Sequence, residues 1–499
     1  MSATTAAAEV KQKLPRSAIL VAIAGATLGL IYGYDNGNIG GAALFFQPDL
    51  HLTTADVETI ASAILIGEIL GAIIGGWVCN RIGRKKTILL IATGYVIFCI
   101  TSALSVNKTT LEVSRFFLGL TIGLSLIAVP LFIAESVPAR VRGRMLVLYQ
   151  VMGVIGILIG NLICALLVSA NPAYNWRIML GLAAIPALLL LPMLLKVPET
   201  ANWLLMKGRR QEAATTLAAT DPEVNTDAQL QDMEETLAEE TGGSIKEMLK
   251  KPYLRATMFV LVFGFAIQIT GINSTVTYGP QLFKSIGFSG DRGPILASAA
   301  IQVFALASVL VSMKYIDRWG RRPILLTGIG VMTAGLVITA VNYATVGDGG
   351  TFGTVQQIVG FAGLAIVNIG FVFGFGSLVW VYASEAFPGR LRAYGTSVLL
   401  TADLVANYLV AKFTLTLLST IKGTGTFFLF AGLCVLAFLF VMKFAPETKG
   451  RPLDEIRHYW ENGGKWPTDA AIAQSNSDRS DARAATKAAN EANDSAPDK

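Results

Sequence analysis

The sequence predicts an all-α membrane protein: twelve transmembrane helices in two six-helix bundles, with a cytoplasmic helical linker between them. Three observations predict it. Of 499 residues, 53% are hydrophobic and only 15% charged, against about 25% charge in a soluble domain. The apolar residues gather into runs separated by polar loops, and about 20 apolar residues suffice to cross a bilayer. Three loop motifs occur twice, once in each half of the chain.

Taken in order, the runs lie near 17–46, 57–80, 86–105, 109–134, 143–168 and 177–196, then 254–283, 292–317, 323–344, 355–386, 391–418 and 424–445. Between the sixth and seventh, roughly Glu199 to Lys251, charges recur every few residues. The expected organisation is an N-terminal tail (1–16), a first bundle (17–198), linker helices (199–253), a second bundle (254–446) and a C-terminal tail (447–499). Past about residue 468 the tail is rich in Ala, Ser, Asn and Asp without an apolar period, and is expected to be disordered. Lys11, Lys13 and Arg16 precede the first run, and no small-residue cleavage site follows a short apolar core. The run therefore reads as an uncleaved helix. Cys79, Cys99, Cys164 and Cys434 lie in or beside apolar runs, without metal or redox spacing, and read as buried small hydrophobes.

Orientation follows from Lys and Arg. The segments 80–86, 140–144, 318–322 and 390–392 are basic and, with the central stretch, alternate with loops that are not, such as 49–56, 107–108 and 347–350. By the positive-inside rule both termini and the linker are cytoplasmic, in a multi-pass protein of the cell membrane. The formal net charge of +6 belongs to those short loops, so no nucleic-acid partner is expected. His51 and His458 lie outside the runs, Gly374-Phe375-Gly376 has no βαβ unit around it, and no P-loop or HExxH occurs. No cofactor, metal site, ATP-driven pump or enzyme is expected.

One residue inside the first run demands explanation. Asp35 has only Asn and Gly as polar company, and a carboxylate there costs about 2.5–3.5 kcal/mol unless it finds a partner or a proton. Arg115 is the candidate partner. Gly119 and Gly123 follow it at intervals of four, on one helix face, and glycines so spaced let another helix approach. Arg115 is thus expected to point into protein; the alternative is that it marks the outer end of the fourth helix and snorkels.

The repeated motifs are Asn80-Arg81-Ile82-Gly83-Arg84-Lys85 with Asp317-Arg318-Trp319-Gly320-Arg321-Arg322, Glu135 to Arg142 with Glu385 to Arg392, and Pro198-Glu199-Thr200 with Pro446-Glu447-Thr448. Each pair is six helices apart, so the chain consists of two related halves of the kind that enclose a site at the midplane. Together and in this order, the motifs resemble the sugar porter branch of the major facilitator superfamily over about Ser17 to Trp460.

The resemblance implies the superfamily fold with an alternating-access cavity, and Asp35 with Arg115 as a proton-coupling pair. It implies that Glu135, Arg142, Glu199, Asp317, Arg321, Glu385, Arg392 and Glu447 form a cytoplasmic gate, closing the inner side when the outer side is open. Candidate substrate contacts are Tyr32, Gln150, Ile157, Gln268, Asn273, Ser274, Tyr278, Trp380, Asp403 and Asn407. The sequence departs from the family pattern at Asn80 (Asp) and Ala201-Asn202 (Pro-Arg), which depletes the N-terminal half of the gate. It departs again at Ile157 and Ile267 (both Gln), at Ser377 (Pro), and at Asp403, where an amide and Trp usually precede Ala406-Asn407. Lys412, about 900° of helix rotation past Asp403, faces away from it and is placed to snorkel. Glu68 borders a stripe of Gly67, Gly71 and Gly75 and reads as packed.

The expected function is a proton-coupled symporter importing a sugar or cyclic polyol, such as a hexose, pentose or inositol. Its partners are that small molecule, the proton and the lipid bilayer, and it is expected to work as a monomer. A cavity that has lost amides and gained a charge leaves open a polyhydroxylated acid or hydroxyaromatic of quinate or shikimate type. A non-transporting nutrient sensor of the same fold is the second class.

Overall fold

The structure, a computed structural model, describes residues 15–221, 224–240, 245–347, 350–379, 382, 386–387, 389–451 and 453–466. Among them, twelve helices are long and apolar enough to cross a membrane. The first half holds α1 (Arg16–Asp49), α2 (Thr54–Ile82), α3 (Arg84–Ala103), α4 (Lys108–Ser136), α5 (Ala139–Leu167) and α6 (Tyr174–Leu195). The second holds α7 (Leu254–Thr277), α8 (Arg292–Trp319), α9 (Arg321–Val346), α10 (Thr354–Val379), α11 (Gly389–Thr420) and α12 (Lys422–Phe444). Between the halves run linker helices Ala201–Met206, Arg210–Thr220 and Thr226–Glu240, which share a small core of Trp203, Leu204, Leu217 and Leu230. The tail expected to be disordered lies outside the described residues.

Three runs are not continuous helices. In α6 the helical segments Pro172–Gly181 and Ala184–Leu195 are separate. In α7, Gly271 takes φ 89°, so Leu254–Ile269 ends there and Ile272–Thr277 starts afresh; Gly279–Ser285 is a further short helix. In α10 a π turn, Val372–Gly376, interrupts the α-helix. At the outer ends, Thr53 with Asp56 and Asn107 with Thr110 form capping boxes that start α2 and α4.

The repeat in the sequence is a repeat in geometry. Gly83 and Gly320 adopt φ 102° and 96° between α2 and α3 and between α8 and α9, a region that side chains rarely enter. Behind each turn a glutamate from the Pro-Glu-Thr motif caps the next helix. Glu199 accepts the Lys85 N–H at 3.0 Å, and Glu447 accepts the N–H groups of Arg321 and Arg322 at 3.0 Å each. A negative charge at a helix N-terminus meets the exposed N–H groups and the positive dipole end.

Glycine sets how the first half packs. A Cβ on Gly119 of α4 would run into the Ile64 carbonyl of α2, and one on Gly67 of α2 into the Phe116 carbonyl of α4. The two backbones therefore touch, as the Arg115–Gly119–Gly123 spacing predicts. Within the halves α1 also packs on α5, α7 on α11, and α9 on α10 and α12, while α2 meets α11 and α5 meets α8 across the seam. Among the described residues, hydrogen bonds join the halves at the outer end. They include Gln281 Nε2 to the Gly40 carbonyl at 3.2 Å and Arg292 Nε to the Ala165 carbonyl at 3.2 Å. The outer side is closed in this state.

Candidate functional site

Asp35 and Arg115 meet as the sequence expects. Arg115 Nη1 and Nη2 donate to Asp35 Oδ1 and Oδ2 at 2.6 and 3.0 Å, a two-pronged ion pair. The side chains are 5% and 1% exposed, so snorkelling of Arg115 is excluded. Moving each ion out of water costs several kcal/mol, and breaking such a pair from one side costs about 3–5 kcal/mol because the other charge stays buried. The site is stable only while both partners, or a neutral substitute for one, are present.

In the second half another polar group forms at the break in α7. The turn at Gly271 brings Asn273 back over Gln268, and Asn273 Nδ2 donates to Gln268 Oε1 at 2.9 Å. Gln268 Nε2 in turn points at Asp403 Oδ2 of α11 at 3.4 Å. Asn407, one turn on from Asp403, is half-buried, and its side chain makes no hydrogen bond among the described residues. Tyr32 of α1 is half-buried as well. Half-buried amides and a carboxylate with spare acceptor sites are what a hydroxylated ligand needs.

Other candidates are placed differently. Ser274 is buried and its hydroxyl donates to the Gly271 carbonyl at 2.6 Å, while Tyr278 donates to the Ala411 carbonyl at 2.6 Å. Both hold the kinked α7 in place. Gln150 is exposed on α5, and Ile157 presents its carbonyl to Asn161 Nδ2 at 3.0 Å. Trp380 and Glu385 lie outside the described residues, as does the Asp317 side chain.

Two further charged side chains lie within the membrane-spanning helices. Glu68 is packed, as the glycine stripe suggests: it is 3% exposed, and its side chain makes no hydrogen bond or ion pair among the described residues. Lys412 does not snorkel: its Nζ donates to Thr59 Oγ1 of α2 at 2.6 Å.

The residues expected to form the cytoplasmic gate of the first half gather into a dense group. Arg84, 3% exposed, pairs with Glu135 through Nη2 and Nε at 3.0 Å each. Glu135 also accepts the Thr200 hydroxyl at 2.6 Å and Asn202 Nδ2 at 3.1 Å, and Arg84 Nη1 reaches Asn80 Oδ1 at 3.1 Å. Asn80 and Asn202 thus contribute bonds where depletion was expected, and Arg84 is the cation at the centre of this group. Arg142 is exposed, and neither it nor the Arg392 side chain makes a hydrogen bond or ion pair among the described residues.

The model of the family described as "Sugar (and other) transporter" matches residues 21–460. The chain is 33% identical over 472 residues to the major myo-inositol transporter IolT of Bacillus subtilis, covering 92% of this chain and 97% of that one. It is 30% identical over 441 residues to the galactose-proton symporter of Escherichia coli K12, covering 88% and 94%. Among solved structures, the inward-open xylose transporter XylE of E. coli matches with a TM-score of 0.76 at 24% identity, over 89% of this chain and 100% of that chain. The last likeness bears on the fold.

Proposed function

The chain belongs to the sugar transporter family of the major facilitator superfamily, and on that premise we propose that it is a proton-coupled symporter for a sugar or cyclic polyol. It works by alternating access, and a single chain is the functional unit. The observation that carries this reading is the buried Asp35–Arg115 pair.

Such a pair is a switch with two settings. Ionised Asp35 holds Arg115 and ties α1 to α4. A proton on Asp35 removes its charge and loosens that tie, so loading a proton changes the relative stability of the two cavity orientations. The membrane potential supplies about 2.3 kcal/mol per charge per 100 mV, and the pH difference adds to it. The bonds around Glu135, Glu199 and Glu447 bias the same equilibrium from the cytoplasmic end. Breaking a buried pair such as Arg84–Glu135 from one side costs about 3–5 kcal/mol, enough to shift two states.

Asn273, Gln268, Asp403 and Asn407 are the substrate contacts of this reading, with Trp380 as an aromatic face. An ionised Asp403 accepts from two hydroxyls on adjacent carbons, which suits sugars and inositols and repels a carboxylated substrate. The test is competition against labelled-substrate uptake by hexoses, pentoses, inositols and hydroxy acids, in wild type and Asp403→Asn. Neutral polyols should compete in wild type, and Asp403→Asn should weaken them while admitting acids better. Strong competition by hydroxy acids in wild type, lost in Asp403→Asn, overturns the sugar reading. Binding without accumulation identifies a sensor instead.

A further inference from the structure

A second set of polar contacts, at the outer seam and away from the central cavity, has no part in the scheme above. Glu58 lies in the first turns of α2 and is 1% exposed. Its Oε1 accepts the backbone N–H of Thr416 at 2.8 Å and its Oε2 the Thr416 hydroxyl at 2.5 Å, both from α11 of the other half. An unbroken helix aims that N–H at the carbonyl four residues back, on Lys412; here a carboxylate of the opposite half competes for it. Lys412 reaches across as well, donating to the Thr59 hydroxyl at 2.6 Å. That hydroxyl sends its own proton to the Ala55 carbonyl at 2.7 Å, so its donor and acceptor roles are both assigned. Beside Lys412, the Ala411 carbonyl takes the Tyr278 hydroxyl at 2.6 Å. The stretch 411–416 of α11 is thereby tied to α2 and to the part of α7 just past the break at Gly271.

We propose that Glu58 and Lys412 are positioning residues of the transport cycle. With Thr416 and Thr59 they form a latch that holds the outer end closed, and Tyr278 joins that latch to the kinked α7. Bonds to a charged group inside a closed seam are strong, and outward opening must break both of them and rehydrate Glu58 and Lys412. The latch therefore sets how much of the protein faces outward at rest, whatever the substrate is.

The test uses Ile295, at the start of α8. It is fully buried in the outer cluster, among Ile39, Phe46 and Cys164 of the other half. In an Ile295→Cys protein in intact cells, the reaction rate with a membrane-impermeant maleimide reports outward opening; the parent protein, whose four cysteines are buried, gives the background. Adding Glu58→Ala should raise that rate by about tenfold, a shift of about 1.4 kcal/mol, and Lys412→Met should raise it severalfold. Glu58→Gln keeps an acceptor for the Thr416 N–H and should restore most of the protection. Unchanged labelling in both Glu58→Ala and Lys412→Met overturns the proposal. Should Glu58→Ala fail to reach the membrane, unchanged labelling in Lys412→Met alone overturns it.

Discussion

At the scale of single residues, burial of charge decides which side chains matter. Asp35 was legible because an acid inside an apolar run has to find a cation or a proton, and Arg115 because its helix face is cleared by glycine. Lys412 was not. Rotation along its own helix says only that it faces away from Asp403, whereas its acceptor, Thr59, comes from the other half of the molecule. Tyr278 and Ser274 carry groups a sugar could use, yet those groups are bonded to backbone carbonyls, and no sequence pattern reports such a bond. Arg115→Ala leaves Asp35 buried and unpaired, so both accumulation and exchange should disappear, or the protein should fail to fold; normal pH-driven uptake by that variant would contradict the pairing. Asn273→Ala removes the amide that turns back over Gln268. It should weaken apparent substrate affinity by about 5- to 150-fold, the equivalent of 1–3 kcal/mol, at unchanged expression. Equal half-saturation in wild type and variant would move the substrate away from α7.

At the scale of elements, the twelve spans were legible because each is a long apolar run separated from the next by a short polar loop or the linker. Their breaks were less so. Hydropathy is indifferent to φ, so the run at 254–283 reads as one helix although Gly271 turns left-handed within it. The motif repeat was visible, and its cause is now plain: Gly83 and Gly320 make the turns, and Glu199 and Glu447 cap α3 and α9. Close packing of α2 on α4 yields a contrast between two glycines. Gly119→Val pushes a side chain into the Ile64 carbonyl, whereas Gly76 has nothing within 4 Å of a Cβ. Gly119→Val should lower the melting temperature in detergent strongly or prevent folding, the overpacking cost being about 1–3 kcal/mol or more. Gly76→Val should leave it near wild type. Similar melting of the two variants would refute the packing argument.

At the scale of the whole molecule, two related halves meet along a seam that is bonded at its outer end, with the acid–base pair inside the first half and the polar groups of α7 and α11 inside the second. Motif order announced the two halves; which end of the seam is closed depends on contacts between distant segments, such as Glu58 with Thr416, that no local pattern encodes. The central claim is that a proton on Asp35 couples the two halves to the gradient. Its most direct test is accumulation of a labelled substrate in proteoliposomes under an imposed pH difference, beside exchange at equal concentrations on both sides. Wild type should do both, and Asp35→Asn should keep exchange while losing accumulation. Accumulation by Asp35→Asn against a concentration gradient would contradict the account.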